Sequence, residues 1–109
     1  MAIRLILAED SYLVREGIAR LLGTRPEVSL VATCDDLDSL LAAVESEKPD
    51  VVLTDIRMPP ARRDEGIEAA RRLREASPEV GVVVLSQYVE PRYALALLES
   101  GSELSLIHI

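Results

Sequence analysis

The sequence has no phenylalanine or tryptophan and only three tyrosines among its 109 residues, so its core must be built from aliphatic side chains. A single cysteine, Cys34, excludes an internal disulfide and a cysteine metal cluster. A single histidine, His108, argues against a histidine-based metal site. No apolar run approaches the roughly 18 residues of a membrane span. The N-terminus lacks the pattern of a signal peptide, and a cytoplasmic protein is expected.

Basic residues are also in the minority, with 12 Lys and Arg against 19 Asp and Glu, a net charge of −7. A phosphate-binding surface needs a basic face, so this balance argues against nucleic-acid binding by this segment. Lys48 is the only lysine. The remaining composition, 49% apolar and 28% charged, is typical of one globular domain.

Short apolar runs alternate with helical patterns along the chain. Apolar residues recur at three- and four-residue spacing between the runs, which predicts amphipathic helices, including a fourth one from about residue 90 to 101. The alternation predicts an α/β fold with a doubly wound parallel sheet that has helices on both faces. The four clearest predicted strands are Ile3–Ala8, Val28–Cys34, Val51–Thr54 and Val80–Ser86.

Polar side chains follow three of these strands. Glu9 and Asp10 come after the first, Asp55 after the third, and Ser86 ends the fourth. Because ligands bind beyond the carboxyl ends of parallel strands, these residues are candidates for one site. Crowded carboxylates repel one another unless a cation joins them, and oxygen ligands suit Mg²⁺. An aspartate beside Mg²⁺ can accept a phosphoryl group, although each acid taken alone also fits a simple turn or cap.

Three segments resemble the receiver domain of two-component response regulators: LILAED at 5–10, VVLTDIRMPP at 51–60 and VVVLSQY at 82–88. The residues that flank these segments resemble those of the NarL/FixJ-like class, whose receivers are joined to a LuxR-type helix-turn-helix domain. The resemblance implies a flavodoxin-like sheet in strand order 2-1-3-4-5 and a non-enzymatic phosphoacceptor that controls transcription. Its implied partners are a sensor histidine kinase and, through a missing C-terminal domain, DNA. It implies no membrane partner and leaves a dimer open.

The resemblance also implies a role for each residue of the predicted site. Asp55 would be the phosphoacceptor, and Ser86 would contact the phosphoryl group and act as the switch hydroxyl. Asp10, Asp55 and the backbone carbonyl of Arg57 would bind Mg²⁺, with Glu9 acting alongside or through water. The backbone amides implied to cradle the phosphoryl oxygens are those of Ile56, Arg57 and Gln87.

The end of the chain departs from the family, whose receivers carry a lysine at the end of a fifth strand and then a fifth helix. Lys48 cannot replace that lysine, because it precedes the third strand and a strand of four to five residues spans roughly 15 Å. Residues 104–109, LSLIHI, resemble the translation of a transposase end sequence used in DNA library preparation. We therefore expect a receiver domain over 1–103 and a non-native tail over 104–109, with an atypical fifth strand and no fifth helix; a divergent natural strand is the alternative.

Two other functions stay open on the residues alone. A Mg²⁺-dependent phosphohydrolase with an aspartate nucleophile would use the same acids, but the sequence has no DxD pair at Asp55. A pseudo-receiver binding module, which no longer takes phosphate, would fit the missing lysine. The retention of all three acids and Ser86 favours a phosphoacceptor.

Overall fold

The computed structural model describes residues 2–57, 65–86 and 104–108, with Ser86 and the last segment described by their backbone. The fourth predicted helix, near residues 90–101, lies outside the described residues. The elements are β1 (Ile3–Ala8), α1 (Tyr12–Gly23), β2 (Val28–Cys34), α2 (Leu37–Glu47), β3 (Val51–Asp55), α3 (Glu65–Ala76), β4 (Gly81–Ser86) and β5 (Leu104–His108).

The five strands form one parallel sheet in the order β2-β1-β3-β4-β5, which confirms the predicted topology. Ala8 at the end of β1 pairs with Thr54 of β3, and Asp55 pairs with Leu85 of β4. The carboxyl ends of the three central strands therefore lie at one edge. The segment expected to be non-native pairs with β4 and occupies the fifth-strand position.

The core is aliphatic, as the composition predicts, and lies between the sheet and helices α2 and α3. Ile6, Val52 and Val84 of the central strands pack with Leu40 of α2 and Leu73 of α3. The opposite face of the sheet carries α1, none of whose residues is buried. No helix in the described ranges is long and apolar enough to cross a membrane.

Capping residues mark where helices α1 and α2 begin and where α2 ends. Ser11 caps α1 by accepting a hydrogen bond from the Val14 N–H, and Asp36 caps α2 by accepting one from the Ser39 N–H at 2.7 Å. Lys48 ends α2 in the left-handed conformation, at φ 48°, just before β3 begins. Since Asp55 is the last residue of β3, the prediction that Lys48 lies at the opposite end of that strand is confirmed.

Candidate functional site

Glu9, Asp10 and Asp55 form an acidic cluster at the carboxyl edge of the sheet. One carboxylate oxygen from each lies within 4.8 Å of the other two. β1 ends at Ala8, so Glu9 and Asp10 occupy the turn that leads into α1, and Asp55 ends the adjacent strand. The prediction that Asp10 and Asp55 meet at one edge of the sheet is thus confirmed.

Glu9 is the buried member of the cluster, with 6% of its surface exposed. Its backbone N–H donates to the Cys34 carbonyl of β2 at 2.9 Å, and its Oε1 accepts from the Ser11 N–H at 3.1 Å. Its own carbonyl oxygen accepts a hydrogen bond from Arg15 Nη1 at 2.8 Å. Backbone groups of β2 and the start of α1 therefore fix this residue, and its carboxyl group is held in the cluster.

Two acids of the cluster, Glu9 and Asp55, have raised pKa values. Burial, followed by the negative charges of Asp55 and Asp10, raises the pKa of Glu9 to about 7, although the Ser11 N–H acts in the opposite direction. Burial and the charge of Asp10 also raise the pKa of Asp55. Three ionised carboxylates this close together repel one another, and a bound cation offsets that repulsion. Three oxygen donors without histidine or cysteine are the donor set of a hard divalent ion such as Mg²⁺.

The loop after β3 turns back toward the Asp55 side chain. The Ile56 N–H donates to the Leu85 carbonyl of β4 at 3.2 Å, and the nearby backbone N–H groups of Ile56 and Arg57 oppose the rise of the Asp55 pKa. They are two of the three amides that the resemblance implied to lie at the phosphoryl group. The third, from Gln87, lies outside the described residues. Ser86 is the last residue of β4, and its side chain lies outside the described part of the structure.

Two residues at the start of α3 escaped the sequence analysis. Glu65 is 5% exposed, and Gly66 lies against the loop that carries Asp55. The Gly66 N–H donates to the Ile56 carbonyl at 2.7 Å. A Cβ at Gly66 would overlap the Asp55 carbonyl oxygen and lie 2.8 Å from the Ile56 Cα. The available signal was a glycine in the first turn of a helix, where it costs helix propensity and needs another reason.

The raised pKa of Glu9 predicts a pH-dependent stability. The folded protein binds the Glu9 proton more tightly than the unfolded chain, so this stabilisation is complete below pH 4.5 and is lost as the pH rises through about 7. Without divalent cations, the free energy of unfolding should fall by on the order of 3 kcal/mol over this window. Glu9→Gln should flatten this part of the profile, measured by urea unfolding between pH 4 and 8.

The matched control is Glu16→Gln, which changes an exposed glutamate of α1. It should leave the pH profile of the wild type unchanged. A Glu9→Gln protein with the wild-type slope between pH 4.5 and 7 would show that the proton is held elsewhere.

The family model described as the response regulator receiver domain matches residues 5–106. The transcriptional regulatory protein DegU of Brevibacillus brevis is 37% identical over 100 residues, which are 92% of this chain and 41% of that protein. The response regulator GacA of Pseudomonas viridiflava is 34% identical, over 92% of this chain and 45% of that protein. The chain thus spans less than half the length of these curated relatives.

Solved structures agree with the sequence matches. The signal receiver domain of the response regulator NarL from Mycobacterium tuberculosis superposes with a TM-score of 0.86 at 30% identity, over 97% of this chain and 83% of that chain. These relatives are regulators, and the phosphohydrolase alternative is not favoured. With its strand order and its acidic cluster, the chain belongs to the response regulator receiver domain family of two-component systems, and it is similar to the receiver domains of NarL and DegU.

Proposed function

We propose that this receiver domain takes a phosphoryl group from a sensor histidine kinase onto Asp55, with Mg²⁺ at the acidic cluster. Phosphorylation would control a C-terminal DNA-binding domain in a cytoplasmic transcription regulator. The observation that carries the proposal is the approach of three carboxylates to within 4.8 Å at the end of the central strands. The regulatory relatives DegU and GacA support the wider role.

The residues present fit a bound Mg²⁺. Asp10, Asp55 and the backbone carbonyl of Arg57 would hold the ion, and Glu9 would act through water. The ion supplies positive charge that offsets the carboxylates and the oxygens of an incoming phosphoryl group. The burial that raises the pKa of Glu9 and of Asp55 makes such a charge especially favourable here.

Asp55 acts as the nucleophile. One of its carboxylate oxygens forms a bond to phosphorus while the bond from phosphorus to the histidine nitrogen of the kinase breaks, and that nitrogen keeps the electron pair. The nearby Ile56 and Arg57 N–H groups act to lower the pKa of Asp55, which favours the ionised carboxylate that attacks. Ser86 is proposed to contact the transferred group and to act as the switch hydroxyl.

The metal requirement tests this function. Acetyl phosphate, a small phosphoryl donor, should label the protein in the presence of Mg²⁺, and intact-mass spectrometry should show one added phosphoryl group. Excess EDTA should abolish the labelling. Because Lys48 lies at the far end of β3, a chain that binds Mg²⁺ and takes no phosphoryl group would instead be the pseudo-receiver.

We further propose that the receiver domain comprises residues 1–103 and that residues 104–109 are not native. The proposal rests on the resemblance of LSLIHI to a translated transposase end. Sequencing of the genomic locus should find a different continuation after Glu103, with a lysine codon within a few positions. The LSLIHI codons in genomic DNA would identify β5 as a divergent natural strand.

A further inference from the structure

We propose that Arg15 is a positioning residue for the acidic cluster and strengthens its binding of Mg²⁺. The inference rests on the proposed function, because it concerns the ion that phosphoryl transfer would use. Arg15 lies in the first turn of α1, and its side chain turns back toward the end of β1. It is not itself one of the residues proposed to bind the ion.

Two contacts hold the Arg15 guanidinium in place. Its Nη1 donates to the carbonyl oxygen of Glu9 at 2.8 Å, across the turn between β1 and α1. Its central carbon lies 5.6 Å from the centre of the Tyr12 ring, within the range of a cation–π interaction. A planar group fixed at both its edge and its face holds a single orientation better than a solvated side chain does.

The carbonyl that Arg15 binds belongs to the peptide unit that joins Glu9 to Asp10. The N–H of Glu9 is already fixed by the Cys34 carbonyl, and its carboxylate by the Ser11 N–H. Arg15 therefore restrains the remaining polar group of the Glu9 backbone, and with it the turn that carries both acids. Hydrogen bonds from a charged donor are stronger than neutral ones, so this contact stabilises the turn more than a water molecule would.

The charge of Arg15 acts against a bound cation. A guanidinium beside the cluster repels Mg²⁺, so its removal should tighten binding if charge alone mattered. If Arg15 acts by positioning, its removal should weaken binding, because the oxygen donors lose their fixed arrangement. The two explanations predict opposite signs for the same substitution.

Isothermal titration calorimetry of the full chain with MgCl₂ measures the Mg²⁺ affinity and separates these two explanations. Arg15→Gln is expected to weaken Mg²⁺ binding about tenfold, the lower end of the effect of residues that orient metal ligands. Arg20→Gln removes the same charge from an exposed position in the last turn of α1 and should leave the affinity within about twofold of wild type. Arg15→Lys, which keeps the charge and loses the planar group, should lie between Arg15→Gln and wild type.

Each result has a defined meaning. Arg15→Gln with unchanged or tighter Mg²⁺ binding would overturn the positioning role and leave the proposed function intact. If circular dichroism shows that Arg15→Gln does not fold, Arg15→Lys becomes the deciding variant. Wild-type Mg²⁺ affinity in Arg15→Lys would overturn the positioning role, and severalfold weaker Mg²⁺ binding would support it. Wild-type protein that binds no Mg²⁺ would overturn both the inference and the proposed function.

Discussion

Asp55→Asn is expected to abolish phosphoryl acceptance from acetyl phosphate in the presence of Mg²⁺. The substitution replaces the proposed nucleophilic oxygen pair with an amide of nearly the same shape, and it leaves the backbone hydrogen bond from the Ile56 N–H to the Leu85 carbonyl in place. The amide is a far weaker nucleophile, and the expected result is no added phosphoryl mass. Beryllofluoride, which forms a phosphoryl-like group on a carboxylate, should likewise fail to bind.

Stability separates loss of chemistry from loss of fold in this variant. Asp55→Asn removes one negative charge from the acidic cluster, so without Mg²⁺ its free energy of unfolding should exceed that of wild type at pH 7. Asp50→Asn is the matched control, because Asp50 precedes the same strand at its other end and an amide oxygen can still accept from the Arg4 N–H. Asp50→Asn should take up a phosphoryl group as wild type does. Equal phosphoryl labelling of Asp55→Asn would contradict the assignment of Asp55 as the phosphoacceptor.

The acidic cluster could be predicted from sequence because two strong local signals fix it. The apolar runs of β1 and β3 end at defined positions, and the acids follow at once. The strand order implied by the family resemblance makes β1 and β3 neighbours, and parallel strands bring their carboxyl ends to the same edge. Asp10 and Asp55 therefore meet without any need to know how the intervening 44 residues pack in detail. The same reasoning placed Lys48 at the far end of β3.

The supporting contacts could not be predicted, since they depend on side-chain direction and on loop path. In the sequence, Arg15 has no feature that distinguishes it from other charged residues of α1. Only the turn after β1 brings its guanidinium to the Glu9 carbonyl. The sequence shows Gly66 only as a residue of low helix propensity. Only the structure shows that backbone atoms of Asp55 and Ile56 lie beside it. These contacts act across turns, where apolar periodicity carries no information.

Gly66→Ala is expected to destabilise the protein by about 3 kcal/mol or more, the upper end of the cost of overpacking. The new methyl group would meet the Asp55 carbonyl oxygen and the Ile56 Cα, and backbone atoms cannot rotate away as a side chain does. Relief requires α3 to move from the loop, which would lengthen the hydrogen bond from the Gly66 N–H to the Ile56 carbonyl. Urea unfolding followed by circular dichroism gives the difference directly.

Gly17→Ala is the matched control, because it makes the same substitution inside a helix where no atom beyond the chain neighbours and the surrounding helix backbone lies within 4 Å of the new Cβ. Alanine has the higher helix propensity, so this variant should gain about 0.5–1 kcal/mol. Opposite signs for one chemical change would locate the cost at the contact of α3 with the Asp55 loop. Similar stability changes in the two variants would instead show that α3 and this loop can separate freely, and Gly66 would then have no part in holding Asp55 in the acidic cluster.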